Sequence, residues 1–325
     1  MNAPLIAVAD SVFPSLEPAQ QVLDRLQANL QLASAATPEA ILAVARQADA
    51  LLVTYAKITD DIIRQLERCR IIARFGIGID NIDLAAATEA GIVVTYVPDY
   101  CVDEVSDHAM ALLLALARKV AFANQQVQAG RWEMPAVVPL RRLRGRTLGL
   151  AGFGKIPQLL TPKAQAFGLK VITFDPYIPA EVASSLGVEQ VSFDHLLQTS
   201  DYISIHAPLT PETHHLFNAQ AFQQMKPESL LINTARGPLV DVEALAAALD
   251  EGRLAGAALD VLPVEPPPAD SPLRGRDNVI LTPHTAFYSE EALLDLQTKA
   301  AQDVAQVLTG GRPKYPVNPQ VLETV

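Results

Sequence analysis

"TLGLAGFGKIPQLLTPKAQAFG", residues 147–168, decides how the rest of the chain is read. A short apolar run leads into Gly152-Phe153-Gly154, and a helical pattern follows. Strand, glycine turn and helix in that order suit a dinucleotide: the tight turn frees backbone N–H groups at a helix N-terminus to face a pyrophosphate. An ordinary turn is the plainer alternative. The third small residue of such a fingerprint is here Pro157. In the first helical turn a proline forfeits an N–H that has no intrahelical partner, and the N–H groups of Lys155 and Ile156 remain. Pro162 lies deeper, where the lost bond to the Gln158 carbonyl costs about 3 kcal/mol if unrelieved. The spacing predicts a kink near 158–162, not a lost site.

Asp175 in "TFDPY" stands about 20 residues beyond the glycines, at the end of the next strand. A carboxylate there can hydrogen-bond a ribose and repel a 2′-phosphate, which favours NAD over NADP. The plainer alternative is that it caps a loop.

Outward from this segment, short Val- and Ile-rich runs alternate with helical patterns. "LIAVAD" (5–10), "LQLASA" (30–35), "ALLVTY" (50–55), "IIARFG" (71–76) and "IVVTYV" (92–97) read as buried strands. Thr37 and Thr59, each followed closely by an acid, mark helix starts. A second set begins with "TLGLAG" (147–152) and runs through 170–175, 202–207, 230–235, 256–261 and 279–284. Between the sets lie an apolar helix, roughly Val102 to Ala121, and the irregular "RWEMPAVVPLRRLRG". A last helix, "SEEALLDLQTKAAQDVAQVLTG", follows His284 and ends at Gly310, Gly311 and Pro313. Such alternation implies parallel sheets covered on both faces, an α/β chain.

The bulk numbers agree. A chain of 325 residues, half of them hydrophobic and 19% charged, suits two globular domains. A net charge of −11 argues against nucleic acid and anionic membranes as partners. No signal peptide is evident, no run of about 18 apolar residues occurs, and a cytoplasmic location is expected. Cys69 and Cys101 lack metal-ligand spacing and read as reduced. His108, His195, His206, His214 and His215 show no metal spacing either and read as structural.

Three strand ends carry candidate chemistry. "INTARGPLVD" offers Arg236, "LDVLPVEPPP" offers Asp260 and Glu265, and "LTPHTAFYSEEA" offers His284. Ligands of open parallel sheets bind beyond the carboxyl ends of the strands. An arginine can clamp a carboxylate. A histidine passes protons near neutral pH, and a carboxylate beside it fixes its tautomer. Each residue alone has a bland reading, as inter-domain packing, a cap or a solvated charge.

At these residues, and through nearly the whole chain, the sequence resembles the D-isomer-specific 2-hydroxyacid dehydrogenases, in a branch similar to the C-terminal-binding-protein corepressors and the phosphoglycerate dehydrogenases. The resemblance is carried by "RFGIGIDNID" (74–83), "TLGLAGFGKI" (147–156), "TFDPY" (173–177), "HAPLTPETHHLFN" (206–218), "INTARGPLVD" (232–241), "GAALDV" (256–261), "EP" (265–266) and "TPH" (282–284). It implies two doubly wound parallel-sheet domains. A Rossmann NAD domain (102–286) would be inserted into a flavodoxin-like substrate domain (1–101 and 287–325). It implies hydride transfer between a D-2-hydroxy acid and its 2-keto acid. Here His284 would be the acid-base, Glu265 its support, and Arg236 the group that binds and polarises the substrate. Cofactor contacts would come from Gly152, Gly154, Lys155, Ile156, Asp175, Pro208, Thr213, Thr234, Ala235 and Asp260, the last near the nicotinamide carboxamide. The N–H groups of Ile77 and Gly78 would hold the substrate carboxylate. Tyr55, Lys57, Asp99, Tyr100 and Arg74 become candidates for specificity. Lys57 and Arg74 could bind a second anionic group or be surface cations, and Asp99 would oppose an anionic tail if it pointed inward. A homodimer is expected, through the helix from about Val102 and the arm from Trp132 to Arg144. The alternative function is an NAD(H)-sensing, corepressor-like binding protein. The substrate is left open.

Overall fold

The computed structural model describes residues 3–323. The chain divides into two compact units, Met1–Tyr100 with Ser289–Val325, and Cys101–Tyr288.

The first unit is built on β1 (Leu5–Val8), β2 (Asn29–Leu32), β3 (Ala50–Val53), β4 (Ile71–Arg74) and β5 (Val93–Thr95). All pairings are parallel, in the order β2-β1-β3-β4-β5, the flavodoxin-like order. β1, β3, β4 and β5 are almost wholly buried. The sequence reads β2 as buried too, but it is the edge strand and largely exposed. Ala7, Leu51, Val53, Ile72 and Val94 form one core with Ile41, Ile62 and Ile63 from the intervening helices. The helix Glu290–Leu308 packs on β4 and on the helix Glu17–Leu23, so the last helix belongs to this unit. Ser289 caps it, accepting from the Ala292 N–H at 2.9 Å.

The second unit contains β6 (Thr147–Ala151), β7 (Lys170–Phe174), β8 (Glu189–Gln190), β9 (Tyr202–Ile205), β10 (Leu230–Asn233), β11 (Gly256–Leu259) and β12 (Val279–Leu281). The parallel order is β12-β11-β10-β9-β6-β7-β8, a Rossmann order with one strand added beyond the sixth. Neighbouring residues alternate between two cores. Ile203, Leu231 and Ala257 face one, while Tyr202, Ile232 and Ala258 face the other. That is how a sheet covered on both faces is filled. β8 escapes the sequence reading because it is two residues long.

One helix departs from expectation, and another shows how it accommodates a proline. The helix from Val102 stops at Ala117, not near Ala121; Lys119 turns left-handed (φ 52) and a separate helix, Val120–Gln128, follows. The helix Lys155–Ala166 runs unbroken through Pro162. Contacts on both sides of the proline support it. The Thr161 hydroxyl donates to the Pro157 carbonyl at 2.8 Å. Lys163 reaches across to Ser106 Oγ at 2.6 Å and Asp107 at 2.5 Å. Pro157 is buried in the first turn.

Candidate active site

In the second unit the candidates stand on the segments that follow the carboxyl ends of the strands. Gly152 follows β6, Asp175 follows β7, His206 to Pro208 follow β9, Thr234 to Arg236 follow β10, and Asp260 follows β11. His284 lies beyond β12. The strand order reverses between β6 and β9, the crevice where open sheets take ligands.

Gly152 sits at φ +100, and a Cβ on it would lie 2.8 Å from the His206 carbonyl carbon and the Ala207 nitrogen. The protein itself requires that glycine. Gly154 differs, because a Cβ there meets nothing within 4 Å. That open space leaves room for a ligand to approach the turn closely. The Lys155 and Ile156 N–H groups open the following helix, which has no side-chain cap. Asp175 ties this turn to β7, accepting from Phe153 N at 2.8 Å and Tyr177 N at 2.9 Å. Further lone pairs on both carboxylate oxygens remain for ribose hydroxyls. Thr213 braces its own loop, accepting from Thr210 N at 2.8 Å and donating to the Pro208 carbonyl at 2.7 Å. Thr234 is buried with a hydroxyl that has no protein partner, a group a ligand could satisfy. These residues fit a dinucleotide.

The neighbouring turns bring the chemistry together. Buried Asn233 folds the 233–236 turn on itself, accepting from Ala235 N at 3.0 Å and donating to the Arg236 carbonyl at 2.8 Å. Next comes Gly237, where a Cβ would stand 2.0 Å from the Leu262 carbonyl carbon. That contact seats the Arg236 turn on the turn bearing Glu265. Glu265 Oε1 accepts from Leu262 N at 2.8 Å, and Oε2 lies 2.7 Å from His284 Nδ1. Burial works to raise the Glu265 pKa. The His284 hydrogen bond and charge, the Leu262 N–H and the Arg236 charge outweigh it and hold the carboxyl below its usual range. An ionised Glu265 makes Nδ1 a donor, so in the neutral ring Nε2 is the bare edge that can accept a proton.

His284 has left-handed backbone (φ 52), uncommon for a residue with a side chain. Asp260 brackets it. The Asp260 carbonyl accepts from His284 N at 2.8 Å. Its buried carboxylate accepts from Thr285 N at 3.0 Å, Ala286 N at 2.9 Å and Thr282 Oγ1 at 2.5 Å. His206 lies 2.8 Å from Ser204 Oγ, and enclosure of its ring pushes its pKa down to about 3.

The first unit holds the other candidates, also at strand ends. Among the described residues, the N–H groups of Ile77 and Gly78 make no hydrogen bond within the protein. Asp10, after β1, accepts from Thr54 N at 2.8 Å and Tyr55 N at 2.6 Å. Asn81 donates to the Thr54 and Ala56 carbonyls at 3.2 and 2.9 Å. The loop bearing Tyr55 and Lys57 is thereby held from two sides; both of those side chains are exposed. Arg74 is no surface cation: it is buried, donates to the Phe75 carbonyl at 2.6 Å and lies over the Tyr55 ring. Its Nη1 fills the place a Gly76 Cβ would take, 1.0 Å from it. Tyr100 is buried. Asp99 accepts from Tyr315 OH at 2.7 Å and Lys299 Nζ at 3.3 Å. Sequence reasoning gave no role to Asn233, Gly237, Asp10, Asn81 and Thr282, and read His108 as structural. Only Gly237, directly after Arg236, offered a local signal.

No helix among the described residues is long and apolar enough to cross a membrane, and none of their His, Cys, Asp and Glu side chains cluster as metal ligands do.

Residues 110–286 match the family model described as D-isomer specific 2-hydroxyacid dehydrogenase, NAD binding domain. The chain is 40% identical to D-3-phosphoglycerate dehydrogenase of Methanocaldococcus jannaschii over 94% of its own length and 58% of that protein. It thus spans roughly half the length of the phosphoglycerate dehydrogenases it matches, from 45% to 58%. It is 34% identical to glyoxylate reductase of Korarchaeum cryptofilum, covering 96% of this chain and 97% of that protein. Among solved structures, D-lactate dehydrogenase from Aquifex aeolicus, complexed with NAD and lactic acid, superposes with a TM-score of 0.85 at 28% identity, covering 98% of each chain. Sheet order, glycine turn and these relatives agree: the chain belongs to the D-isomer-specific 2-hydroxyacid dehydrogenase family and carries its NAD-binding domain.

Proposed function

We propose that the protein interconverts a D-2-hydroxy acid and its 2-keto acid. The observation that carries this reading is the His284–Glu265 pair at 2.7 Å, beside the turn that presents Arg236. NAD, when bound, supplies or takes up the hydride. The second unit would hold it through Gly152, Gly154, Lys155, Ile156, Asp175, Pro208, Thr213, Thr234, Ala235 and Asp260. The first unit would be the substrate domain, with the Ile77 and Gly78 N–H groups taking the carboxylate. Tyr55, Lys57, Arg74 and Tyr100 would set which side chain is accepted.

In the reducing direction, His284 Nε2–H donates its proton to the carbonyl oxygen as that oxygen gains charge. Glu265 keeps Nδ1 protonated and stabilises the imidazolium before transfer. Arg236 binds the carboxylate and polarises the carbonyl through charge-assisted hydrogen bonds. His284→Ala should lower turnover with NADH and 2-keto acids by about 10²–10⁴-fold and leave NADH binding intact. Unchanged turnover would remove His284 from the chemistry. Absence of turnover by the wild-type protein with any 2-keto acid would favour the NAD(H)-sensing alternative.

The protein is also proposed to pair with a second copy of itself. Trp132, Met134 and Val138 are 87%, 73% and 58% exposed on the arm after the helix Val120–Gln128. Side chains of that kind concentrate at protein interfaces. A monomer in light scattering at micromolar concentration would refute the pairing.

A further inference from the structure

We propose that His108 and Thr282 act through Asp260 as positioning residues for His284. The inference rests on the role given to His284 above. Asp260 can only accept hydrogen bonds, so the Thr282 hydroxyl must donate to it, at 2.5 Å. That hydroxyl must therefore accept from His108 Nε2, which lies 3.0 Å away and 3.5 Å from Asp260 Oδ1. The network fixes a proton on His108 Nε2 and runs one way, from His108 through Thr282 to Asp260.

Its end point is the backbone of the acid-base residue. Asp260 is 2% exposed. Its carbonyl takes the His284 N–H, and its carboxylate takes the next two N–H groups, of Thr285 and Ala286. His284 thus enters and leaves its left-handed conformation under bonds to Asp260, with the Thr282 carbonyl sharing the His284 N–H at 3.0 Å. Such a conformation persists only where its surroundings over-determine it. A carboxylate this buried keeps its orientation only while its acceptor sites are filled. Thr282 and His108 fill the side facing the helix Val102–Ala117, on which His108 sits. Neither residue need touch substrate or cofactor. Their effect is to keep the His284 ring aligned with Glu265 and with the atom it protonates.

The test uses Thr282→Val, which replaces the hydroxyl with a methyl of similar shape, and His108→Ala, with Thr282→Ser as the rescue. Thr282→Val is expected to lower kcat by about 10²-fold, the scale set by misplacing a reacting group by about 1 Å. The NADH Kd should change little, and His108→Ala should fall between it and the wild type. Thr282→Ser restores the hydroxyl and should restore most of kcat. The His284 imidazole resonance, titrated by NMR without substrate or cofactor, should move in Thr282→Val and return in Thr282→Ser. The proposal is overturned if kcat and the His284 titration stay at wild-type values in both Thr282→Val and His108→Ala. It is equally overturned if NADH affinity falls in proportion to kcat, since the residues would then serve the cofactor. Should Thr282→Val fail to fold, His108→Ala and Thr282→Ser carry the same readouts. Should the wild type turn over no 2-keto acid, the proposed function fails while the NMR titration still decides the positioning role.

Discussion

Gly237 presses so closely on Leu262 that a Cβ would stand 2.0 Å from the Leu262 carbonyl carbon and 2.3 Å from its oxygen and the Pro263 nitrogen. Those are backbone atoms, which cannot swing aside as the tip of a side chain can. Gly237→Ala should therefore separate the Arg236 turn from the Glu265 turn. We expect a fall in kcat/KM of about 10²-fold and a loss of roughly 1–3 kcal/mol in urea stability. A variant with both quantities at wild-type values would show that this approach is dispensable.

The two glycines of the nucleotide turn should fail in different ways. Gly152→Ala meets the His206–Ala207 backbone and must hold φ +100, so Tm should drop before any ligand is added. Gly154→Ala meets nothing within 4 Å, so Tm of the free protein should stay. Its cost should surface as NADH affinity weakened about tenfold or more, a change of about 1.4 kcal/mol. Calorimetry paired with NADH fluorescence titration separates the two. Equal NADH affinity in Gly154→Ala and the wild type would deny the pyrophosphate its place at this turn.

His206 predicts a pH dependence of stability. Its folded-state pKa is lowered from 6.5 to about 3. As pH falls below 6.5, the unfolded chain takes up a proton there that the folded chain refuses until about pH 3. Stability from this group is thus present above pH 6.5 and is progressively lost between 6.5 and about 3. Urea midpoints across that window should fall less steeply for His206→Asn than for the wild type. Parallel curves would mean that the ring titrates normally in the fold.

Asp10 should matter to the loop above β3. Asp10→Asn turns an amino group toward one of two N–H donors, Thr54 or Tyr55. That loses a charge-assisted bond and costs about 1–3 kcal/mol. If the loop sets specificity, KM for the 2-keto acid should rise several-fold while KM for NADH holds. A KM shift in NADH alone would assign the loop elsewhere.

Much of this was legible because the relevant signals are local. Short apolar runs marked the strands and their alternation with helices implied parallel sheets, while the doubly wound orders were what the family resemblance implied. The helix starts marked by Thr37 and Thr59 belong to the same class. Elements set by few residues or by tertiary contact were not. A two-residue β8 has no period to read. Lys119 gives no hint in its side chain that its backbone turns left-handed. Pro162 does not break its helix, and the contacts of Thr161 and Lys163 that flank it there come from tertiary and backbone partners that the local sequence does not announce. The candidate triad was readable as motif residues at strand ends. Their supports were not, because Asp10 and Thr54 are 44 residues apart and His108 and Thr282 are 174 apart. No window along the chain contains both members of either pair.

The Arg74 guanidinium lies where a side chain at position 76 would have to go. The order of mutation at these positions therefore matters. A Cβ at 76 is barred while Arg74 keeps its present rotamer, and even after Arg74 is shortened the φ of 151 disfavours any residue but glycine. Arg74 can change first; Gly76 cannot. Library designs that randomise the two positions independently will discard most double variants for a steric reason unrelated to catalysis, whereas one that varies position 74 on a fixed Gly76 explores the loop without that loss.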